Sequence, residues 1–316
     1  MCLYPKLIIN RKYSGTKKNG GNAPILTDER VRYVPVGCGN CIECRRQKAQ
    51  QWRVRLMEEI KISKYKYFTT LTFSPESIEE IKIKYNINEC NALAGKAVRL
   101  FLERVRKETK KSLKHWLITE LGQDQTERIH LHGIIFSDYK ITNKWLEEKW
   151  KYGRTDTGKY CNERSVNYII KYVTKIDMKH KNFKPEIFCS KGLGSTYLDN
   201  FARRKHKFKG KDTNDYYTLN NGQKIALPIY YRNKVFTEDE REKLWIQRIE
   251  EDTRYINGIK IENVMTGDEE NYKYFLSVLK TAQSDNIRAG YGDDSQKWKK
   301  EDYNVTLHML HKKGKK

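Results

Sequence analysis

"RIHLHGIIF" (residues 128–136) decides how this chain folds, because a run of strand-forming apolar residues carries two of its seven histidines. Side chains alternate between the two faces of a strand, so His130 and His132 project together about 6–7 Å apart. Two imidazoles at this spacing can bind one metal ion, and two partly buried histidines can equally well pack or form hydrogen bonds. About 0.15 His-x-His triplets are expected by chance in this composition, so the triplet alone leaves both interpretations open.

The segment before the histidines supplies a third candidate ligand. "HWLITEL" (residues 115–121) has strand character, and the polar loop 122–128 that follows predicts a β-hairpin with Glu120 near His130. Two imidazoles and one carboxylate leave coordination positions open, which suits a divalent cation that meets a substrate phosphate. The alternative for Glu120 is an exposed carboxylate at a strand end. Gly133, directly after the histidines, allows another backbone or a ligand to approach closely.

"YIIKYVTK" (residues 168–175) is the second segment that indicates chemistry. A helix predicted over residues 162–175 places Tyr168, Lys171, Tyr172 and Lys175 on one face. Its apolar residues fall on a separate face: Val166, Ile169, Ile170 and Val173. A phenol is a weak nucleophile at neutral pH, and a neighbouring ammonium stabilises its phenolate. About 1.4 Tyr-x₃-Tyr pairs are expected by chance, so the lysines and the nearby histidine hairpin make this pair informative, not its spacing.

A cysteine cluster precedes the first predicted helix. Cys38, Cys41 and Cys44 have C-x₂-C-x₂-C spacing, which chance produces only about 0.003 times in this composition. Three thiolates suit Zn²⁺ or part of an iron–sulfur cluster, and Cys2 is the best candidate for a fourth ligand of a structural zinc. Free buried thiols are the alternative. A disulfide framework is not expected in a long basic chain without a secretory signal. The isolated cysteines are expected to be core thiols: Cys90, Cys161 and Cys189.

The order of the predicted elements indicates an α+β fold, with an antiparallel β-sheet covered by helices. Residues 1–36 are irregular or strand-like. Helices are predicted over residues 43–60, 91–111, 141–150, 237–255 and 269–283, and a buried strand over residues 64–74. The helix at Thr237 begins with a capping box. We expect an N-terminal Cys-rich segment and helix (1–60), an endonuclease-like core (61–185), and a helical C-terminal extension with a basic, flexible tail (186–316).

Composition favours a polyanionic partner. The chain has 316 residues, a formal charge of +23 and 21 tyrosines. Lysine and arginine release condensed counterions when they meet phosphates, and aromatic rings stack on unpaired bases, so single-stranded nucleic acid is the expected partner. A solvated basic surface with tyrosines in the core is the alternative. Without a membrane-length apolar run or a signal peptide, the expected location is the cytoplasm.

Taken together, "HLH" and "YIIKYVTK" resemble the HUH endonucleases of rolling-circle replication, and "FTTLTFS" (residues 68–74) resembles the first motif of that superfamily. Three further segments are similar to the replication initiators of the Microviridae, particularly the gokushovirus-like branch. These are "CGNCIECRRQKAQQWRVR" (38–55), "KGLG" (191–194) and "LPIYYR" (227–232). The resemblance covers roughly residues 38–232. One departure is "RIH" where the family usually has "RPH".

The resemblance implies that one DNA strand is cut at a replication origin, with a 5′-phosphotyrosyl link to Tyr168 or Tyr172 and a free 3′-OH that primes synthesis. It also implies Mg²⁺ or Mn²⁺ on His130, His132 and a third polar residue, a role that falls to Glu120. The implied partners are single-stranded and origin duplex DNA in the cytoplasm of a bacterial host. A host helicase and DNA polymerase are expected as well, because the chain lacks the ATP-binding pattern GxxxxGK[ST].

Two alternatives remain open at the level of sequence. One is an HUH enzyme of another role, such as a plasmid initiator, a transposase or a relaxase. The other is a zinc-stabilised basic protein that binds nucleic acid without cutting it.

Overall fold

The computed structural model describes residues 1–122, 127–158, 161–180, 183–199 and 201–292. The predicted basic tail and most of the loop between the two hairpin strands lie outside these residues. The fold is α+β, as predicted, with a five-stranded antiparallel sheet and helices. None of the helices in the described ranges combines the length and the apolar character needed to cross a membrane.

The elements are numbered here in chain order. The strands are β1 (Lys6–Ile9), β2 (Tyr33–Val36), β3 (Tyr65–Thr72), β4 (Lys114–Leu121), β5 (Ile129–Ser137), β6 (Thr155–Thr157), β7 (Ile187–Cys189), β8 (Tyr216–Thr218), β9 (Lys224–Ala226), β10 (Arg254–Ile256) and β11 (Ile259–Ile261). The helices are α1 (Ile42–Ile62), α2 (Pro75–Tyr85), α3 (Cys90–Thr109), α4 (Asn143–Trp150), α5 (Glu163–Thr174), α6 (Phe201–Lys205), α7 (Ile229–Val235), α8 (Glu238–Glu250) and α9 (Glu269–Arg288). Short 3₁₀ turns lie at Arg11–Tyr13, Lys17–Asn19, Glu29–Val31 and Ser195–Leu198.

The sheet has the strand order β6-β3-β5-β4-β7 and belongs to a compact unit made of Ala49–Arg203 and Tyr217–Pro228. The alternation along β5 separates two hydrophobic cores, one on each face. On one face, Leu131 and Ile135 pack with α3 and α4. On the other face, Ile134 and Phe136 pack with α5 and the C-terminal part of α1. His130 and His132 share this second face and continue it beyond the apolar contacts towards the start of β5.

Three elements of this unit were not predicted. Helix α2 follows a strong start signal, since Ser74 accepts a hydrogen bond from the backbone N–H of Ser77 and Pro75 occupies the first turn. Strands β6 and β7 are only three residues long, too short for an alternating pattern to identify them. They pair with β3 and β4 at the two edges of the sheet.

The second compact unit comprises Met1–Lys48, Arg204–Tyr216 and the described part of Ile229–Lys316. Its core joins the first residues of the chain to β10, β11 and α9, with Leu3, Cys41 and Phe275 fully or almost fully buried. The capping box at Thr237 is present as predicted, because Thr237 and Glu240 exchange side-chain and backbone hydrogen bonds. Helix α8 ends at Glu250, before the predicted end, and β10 follows. The domain boundaries expected at residues 60 and 185 stay a prediction.

Candidate active site

The register of the β4–β5 hairpin brings the three predicted ligands together. Glu120 lies directly opposite His130, and Ile118 lies opposite His132. The Oε2 atom of Glu120 is 3.2 Å from Nε2 of His130 and 3.0 Å from Nε2 of His132. Each residue offers a ligand atom within 4.8 Å of the others. Neighbouring ligands of an octahedral Mg²⁺ at about 2.1 Å are about 3 Å apart, so this donor set fits a small divalent cation.

Both imidazoles are oriented by a second contact at Nδ1. In His130 this atom lies 3.2 Å from the carbonyl oxygen of Arg128, and in His132 it lies 3.1 Å from the hydroxyl of Thr70. A carbonyl oxygen can only accept, so Nδ1 of His130 donates and Nε2 is the nitrogen that can bind a metal. Sequence reasoning missed Thr70. Its signal was the alternation in β3, which places Thr70 opposite His132 and Thr72 opposite His130.

Helix α5 places both tyrosines beside the histidines. Asn162 caps the helix by accepting from the backbone N–H groups of Arg164 and Ser165. The hydroxyl oxygens of Tyr168 and Tyr172 are 3.0 Å apart. The ring of Tyr172 stacks on His132 with centroids 4.7 Å apart. The side chain of Tyr168 is 49% exposed, so its hydroxyl is the more accessible of the two to a DNA strand.

The structure separates the two lysines that the helical pattern placed together. Lys175 follows the last residue of α5, forms an ion pair with Glu120 and lies 5.7 Å from the centre of the Tyr172 ring. Lys171 is exposed, and among the described residues its ammonium has no ion pair or hydrogen bond with this group. Lys175 is therefore in position to influence the tyrosines and Glu120, whereas Lys171 points to solvent.

Burial and charge control the protonation of this group. Burial raises the pKa of the Glu120 carboxyl, but hydrogen bonds with the two histidines and Lys175 outweigh it and hold the pKa well below its usual range. Burial, the hydrogen bond with Tyr168 and the negative charge of Glu120 raise the pKa of the Tyr172 phenol. Cations near Glu120 therefore favour the phenolate, because they offset a charge that opposes it.

The four cysteines of the cluster converge in the second compact unit. The Sγ atoms of Cys2 and Cys41 are 3.9 Å apart and those of Cys38 and Cys44 are 4.0 Å apart, and all four lie within 4.8 Å of one another. A tetrahedral zinc at 2.3 Å from each sulfur separates the sulfurs by about 3.8 Å, so the spacing fits a Cys₄ site. Contact with the Cys2 thiol lowers the pKa of Cys41 to about 7.

Backbone N–H groups also point at the sulfurs. The N–H of Cys38 donates to Cys2 over 3.2 Å, and the N–H of Cys41 donates to Cys38 over 3.3 Å. Donors of this kind favour a thiolate over a thiol. The prediction for the isolated cysteines was partly wrong. Cys161 is buried, but Cys90 and Cys189 are exposed, because one begins α3 and the other ends the short edge strand β7.

Comparisons with known proteins agree with the resemblance seen in the sequence. Residues 66–177 match the family model of the replication-associated protein ORF2, about a third of the chain. This segment contains the Glu120–histidine group and both tyrosines but not the cysteine cluster. No solved structure matches the chain.

Two phage proteins are similar over a larger part of the chain. The replication-associated protein VP4 of Bdellovibrio phage phiMH2K is 23% identical over 219 residues, which cover 62% of this chain and 66% of that protein, just under two thirds of its length. The replication-associated protein ORF2 of Spiroplasma virus 4 is 25% identical over 269 residues, which cover 75% of this chain and 81% of that protein. Both phages belong to the Microviridae.

Proposed function

We propose that this chain, a replication initiator of the Microviridae type by its family match and its two phage relatives, nicks and rejoins single-stranded DNA at a phage origin. The observation that carries the proposal is the convergence of Glu120, His130 and His132 within 4.8 Å, with the Tyr172 ring stacked on His132. A ligand group that leaves coordination positions open, placed beside two phenols, suits transesterification of a phosphodiester.

Cleavage starts with one tyrosine hydroxyl. The phenolic oxygen of Tyr168 attacks the scissile phosphorus, and its proton passes to water. The bond between phosphorus and the 3′ oxygen breaks, and the 3′ oxygen takes a proton and becomes the free 3′-OH that primes rolling-circle synthesis. The 5′ phosphate remains on Tyr168 as a phosphotyrosyl ester. Tyr172 donates a hydrogen bond that stabilises the phenolate of Tyr168, and the ammonium of Lys175 offsets the charge of Glu120.

Mg²⁺ or Mn²⁺ held by Glu120, His130 and His132 would withdraw charge from the scissile phosphate and make it more electrophilic. Tyr172, with its hydroxyl 3.0 Å from that of Tyr168, can make the second attack when the strand has been copied. Two adjacent tyrosines allow one bond to DNA to be formed while another is broken, which is what cutting and rejoining require. We assign the first attack to Tyr168 because its side chain is the more exposed.

The same proposal covers the other parts of the molecule. Zn²⁺ on the four cysteines would have a structural role, since four thiolates leave no position for a substrate. The net charge of +23 supports binding of single-stranded and origin duplex DNA. We further propose that the chain acts in the cytoplasm of the bacterial host, with a host helicase and a host DNA polymerase as partners.

The deciding experiment is the formation of a covalent adduct. The protein is incubated with Mn²⁺ and labelled single-stranded DNA from the phage origin, and the products are separated under denaturing conditions with and without protease. We expect a protease-sensitive adduct of protein and DNA. The double variant Tyr168→Phe/Tyr172→Phe should lose the adduct and keep DNA binding. Tyr274→Phe is the matched control, because Tyr274 is similarly exposed but lies on α9.

Each result separates the alternatives. If wild-type protein binds origin DNA but forms no adduct with it, a binding protein without nuclease activity is the better description. An adduct that survives in the double variant would refute the assignment of the nucleophiles. An adduct on plasmid or transposon ends, but not on phage origin DNA, would point to an HUH enzyme of another role.

A further inference from the structure

A second polar cavity lies in the unit that contains the sheet, and the proposed chemistry does not use it. Its volume is about 140 Å³, and it lies between α1, the start of α5 and the segment that follows β8. The lining residues are Arg53, Met57, Lys61, Glu163, Tyr217, Leu219, Asn220 and Asn221. An apolar cavity of about 150 Å³ in another protein binds benzene, so this volume suits one six-membered ring.

The walls of the cavity combine apolar surfaces with hydrogen-bond donors. Met57, Tyr217 and Leu219 are almost completely buried and offer flat or flexible apolar surface. Arg53 contributes a guanidinium whose Nε atom is buried and has no hydrogen-bond partner among the described residues. A buried donor without a partner carries a free-energy cost that a ligand acceptor can remove. The cavity is therefore suited to a flat ring with hydrogen-bond acceptors on its edge.

Hydrogen bonds hold these walls in place. The hydroxyl of Tyr217 donates to the carboxylate of Glu58, which also forms an ion pair with Lys61 over 2.7 Å. The side-chain amide of Asn220 donates to Glu163, and this bond connects the segment after β8 to the start of α5. Because the polar contacts exist before any ligand arrives, a ring can enter without a large ordering cost.

Helix α5 links the cavity to the tyrosines. Glu163 is its first residue, and Tyr168 and Tyr172 follow five and nine residues later. At 1.5 Å per residue they lie about 7.5 and 13.5 Å further along the helix axis. At the per-strand spacing of B-DNA, about 3.4 Å, this corresponds to about two to four nucleotides. A DNA strand held at the tyrosines therefore has a base within reach of the cavity.

We propose that this cavity receives one unstacked pyrimidine base of the DNA strand that the tyrosines cut, an inference that rests on the proposed function. A pyrimidine is a single six-membered ring, and both thymine and cytosine carry a carbonyl acceptor at O2 that can accept from Arg53. A purine has two fused rings and exceeds the volume. The cavity selects a base close to the cut and thereby contributes sequence preference that phosphate contacts alone do not supply.

Binding of thymidine 5′-monophosphate tests the cavity without any cleavage. The chain has five methionines, so ¹³C labelling of their methyl groups gives a short NMR spectrum in which Met57 reports on the cavity. We expect thymidine 5′-monophosphate to shift the Met57 signal, and 2-deoxyribose 5-phosphate, which has no base, to leave it unchanged. Equal shifts with both compounds, or a shift with neither, would overturn the proposal.

A variant pair extends the test to DNA. Wild-type protein should bind a labelled dT₁₂ oligonucleotide at least about tenfold more tightly than dA₁₂, in line with about 1–3 kcal/mol per held base. Arg53→Ala should remove this preference, and Lys61→Ala, a change at an exposed position, should reduce it. Arg99→Ala, on the exposed side of α3, is the matched control and should keep it. An unchanged preference in folded Arg53→Ala protein would refute the assignment.

Adduct formation at saturating DNA distinguishes this proposal from the proposed function. If the cavity holds a base but the tyrosines are not nucleophiles, the dT₁₂ preference persists and no adduct forms. If the tyrosines act but the cavity is not a base site, an adduct forms and Arg53→Ala leaves the preference unchanged. Arg53→Ala should reach the same adduct level as wild type once the DNA is saturating.

Discussion

Two groups of metal-ligating residues occur in this chain, and they are assembled in opposite ways. Glu120, His130 and His132 come from one hairpin, and the pairing of β4 with β5 sets their positions. The four cysteines depend on a long chain closure, because the backbone N–H of Cys38 meets the sulfur of Cys2 across 36 residues. The hairpin group is thus formed by backbone hydrogen bonds with or without an ion, whereas the cysteine group needs something to hold its distant parts together.

The two groups also differ in how many ligands they offer. Three ligands on the hairpin leave room for a substrate oxygen, and four thiolates complete a tetrahedron. We therefore expect the hairpin group to affect activity more than stability, and the cysteine group to affect stability more than activity. The four predictions that follow test this contrast, from the largest expected effect to the smallest.

Replacement of one cluster cysteine should have the largest effect. Cys38→Ser should lower bound zinc from one ion per chain to almost none and reduce the free energy of unfolding by several kcal/mol. Structural zinc contributes about 10–16 kcal/mol in zinc-finger peptides, so a loss of this size is expected. Metal analysis and chemical denaturation measure both quantities. Cys189→Ser is the control, because Cys189 is exposed and outside the cluster. A zinc-free wild-type protein of unchanged stability would remove the contrast.

Replacement of both histidines should act on the reaction instead. His130→Ala/His132→Ala should lower the rate of Mn²⁺-dependent adduct formation by at least about 10³-fold, which corresponds to about 4 kcal/mol in the barrier. The free energy of unfolding should change by less than about 1–2 kcal/mol, because both side chains lie beyond the apolar core of their sheet face. Unfolding of the double variant would show that the histidines serve packing, and the comparison with the cysteines would then fail.

Gly133 connects stability to the geometry of the hairpin group. A Cβ atom at this position would overlap the carbonyl oxygen of Trp116 and the side chain of Leu117 in β4. Gly133→Ala should therefore destabilise the protein by about 1–3 kcal/mol and weaken Mn²⁺ binding as the strands move apart. Gly158→Ala is the control, since a Cβ there meets only ordinary contacts at 3.5 Å. Denaturation and Mn²⁺ titration give the two values, and a stable variant with weak metal binding would contradict this account.

The two lysines provide the smallest and sharpest test. Lys175→Ala should slow adduct formation about tenfold, because the charge of Glu120 would lose its neighbouring ammonium and the Tyr168–Tyr172 pair would ionise less readily. Lys171→Ala should change the rate by less than about twofold, since that side chain points to solvent. Single-turnover rates at saturating DNA compare the two variants. Equal effects would mean that position on the helix face matters and contact with Glu120 does not.

Much of the hairpin group could be predicted from sequence because its geometry is local. The period of two along a strand placed His130 and His132 on one face, and a short loop placed Glu120 opposite His130. The 3.6-residue period likewise separated the tyrosine face of α5 from its buried face. The same period could not tell Lys171 from Lys175, because the partner of Lys175 is on another element.

The parts that were missed depend on distant residues or on very short elements. Thr70 became part of the group only through the pairing of β3 with β5. Strands β6 and β7 are three residues long and are strands only because β3 and β4 accept them at the edges. The exposure of Cys90 and Cys189 follows from their places at the ends of elements, which a preference of cysteine for the interior does not predict.

By itself, the sequence determined the α+β class, the histidine hairpin, the tyrosine face and the cysteine cluster, because each depends on periodicity or on spacing over a few residues. Tertiary structure decided which lysine meets Glu120, how Cys2 reaches Cys38, and that Arg53, Glu163 and Tyr217 enclose one cavity. Those contacts join residues tens to more than a hundred positions apart. They depend on how helices and strands pack, and no local pattern of side chains contains that information.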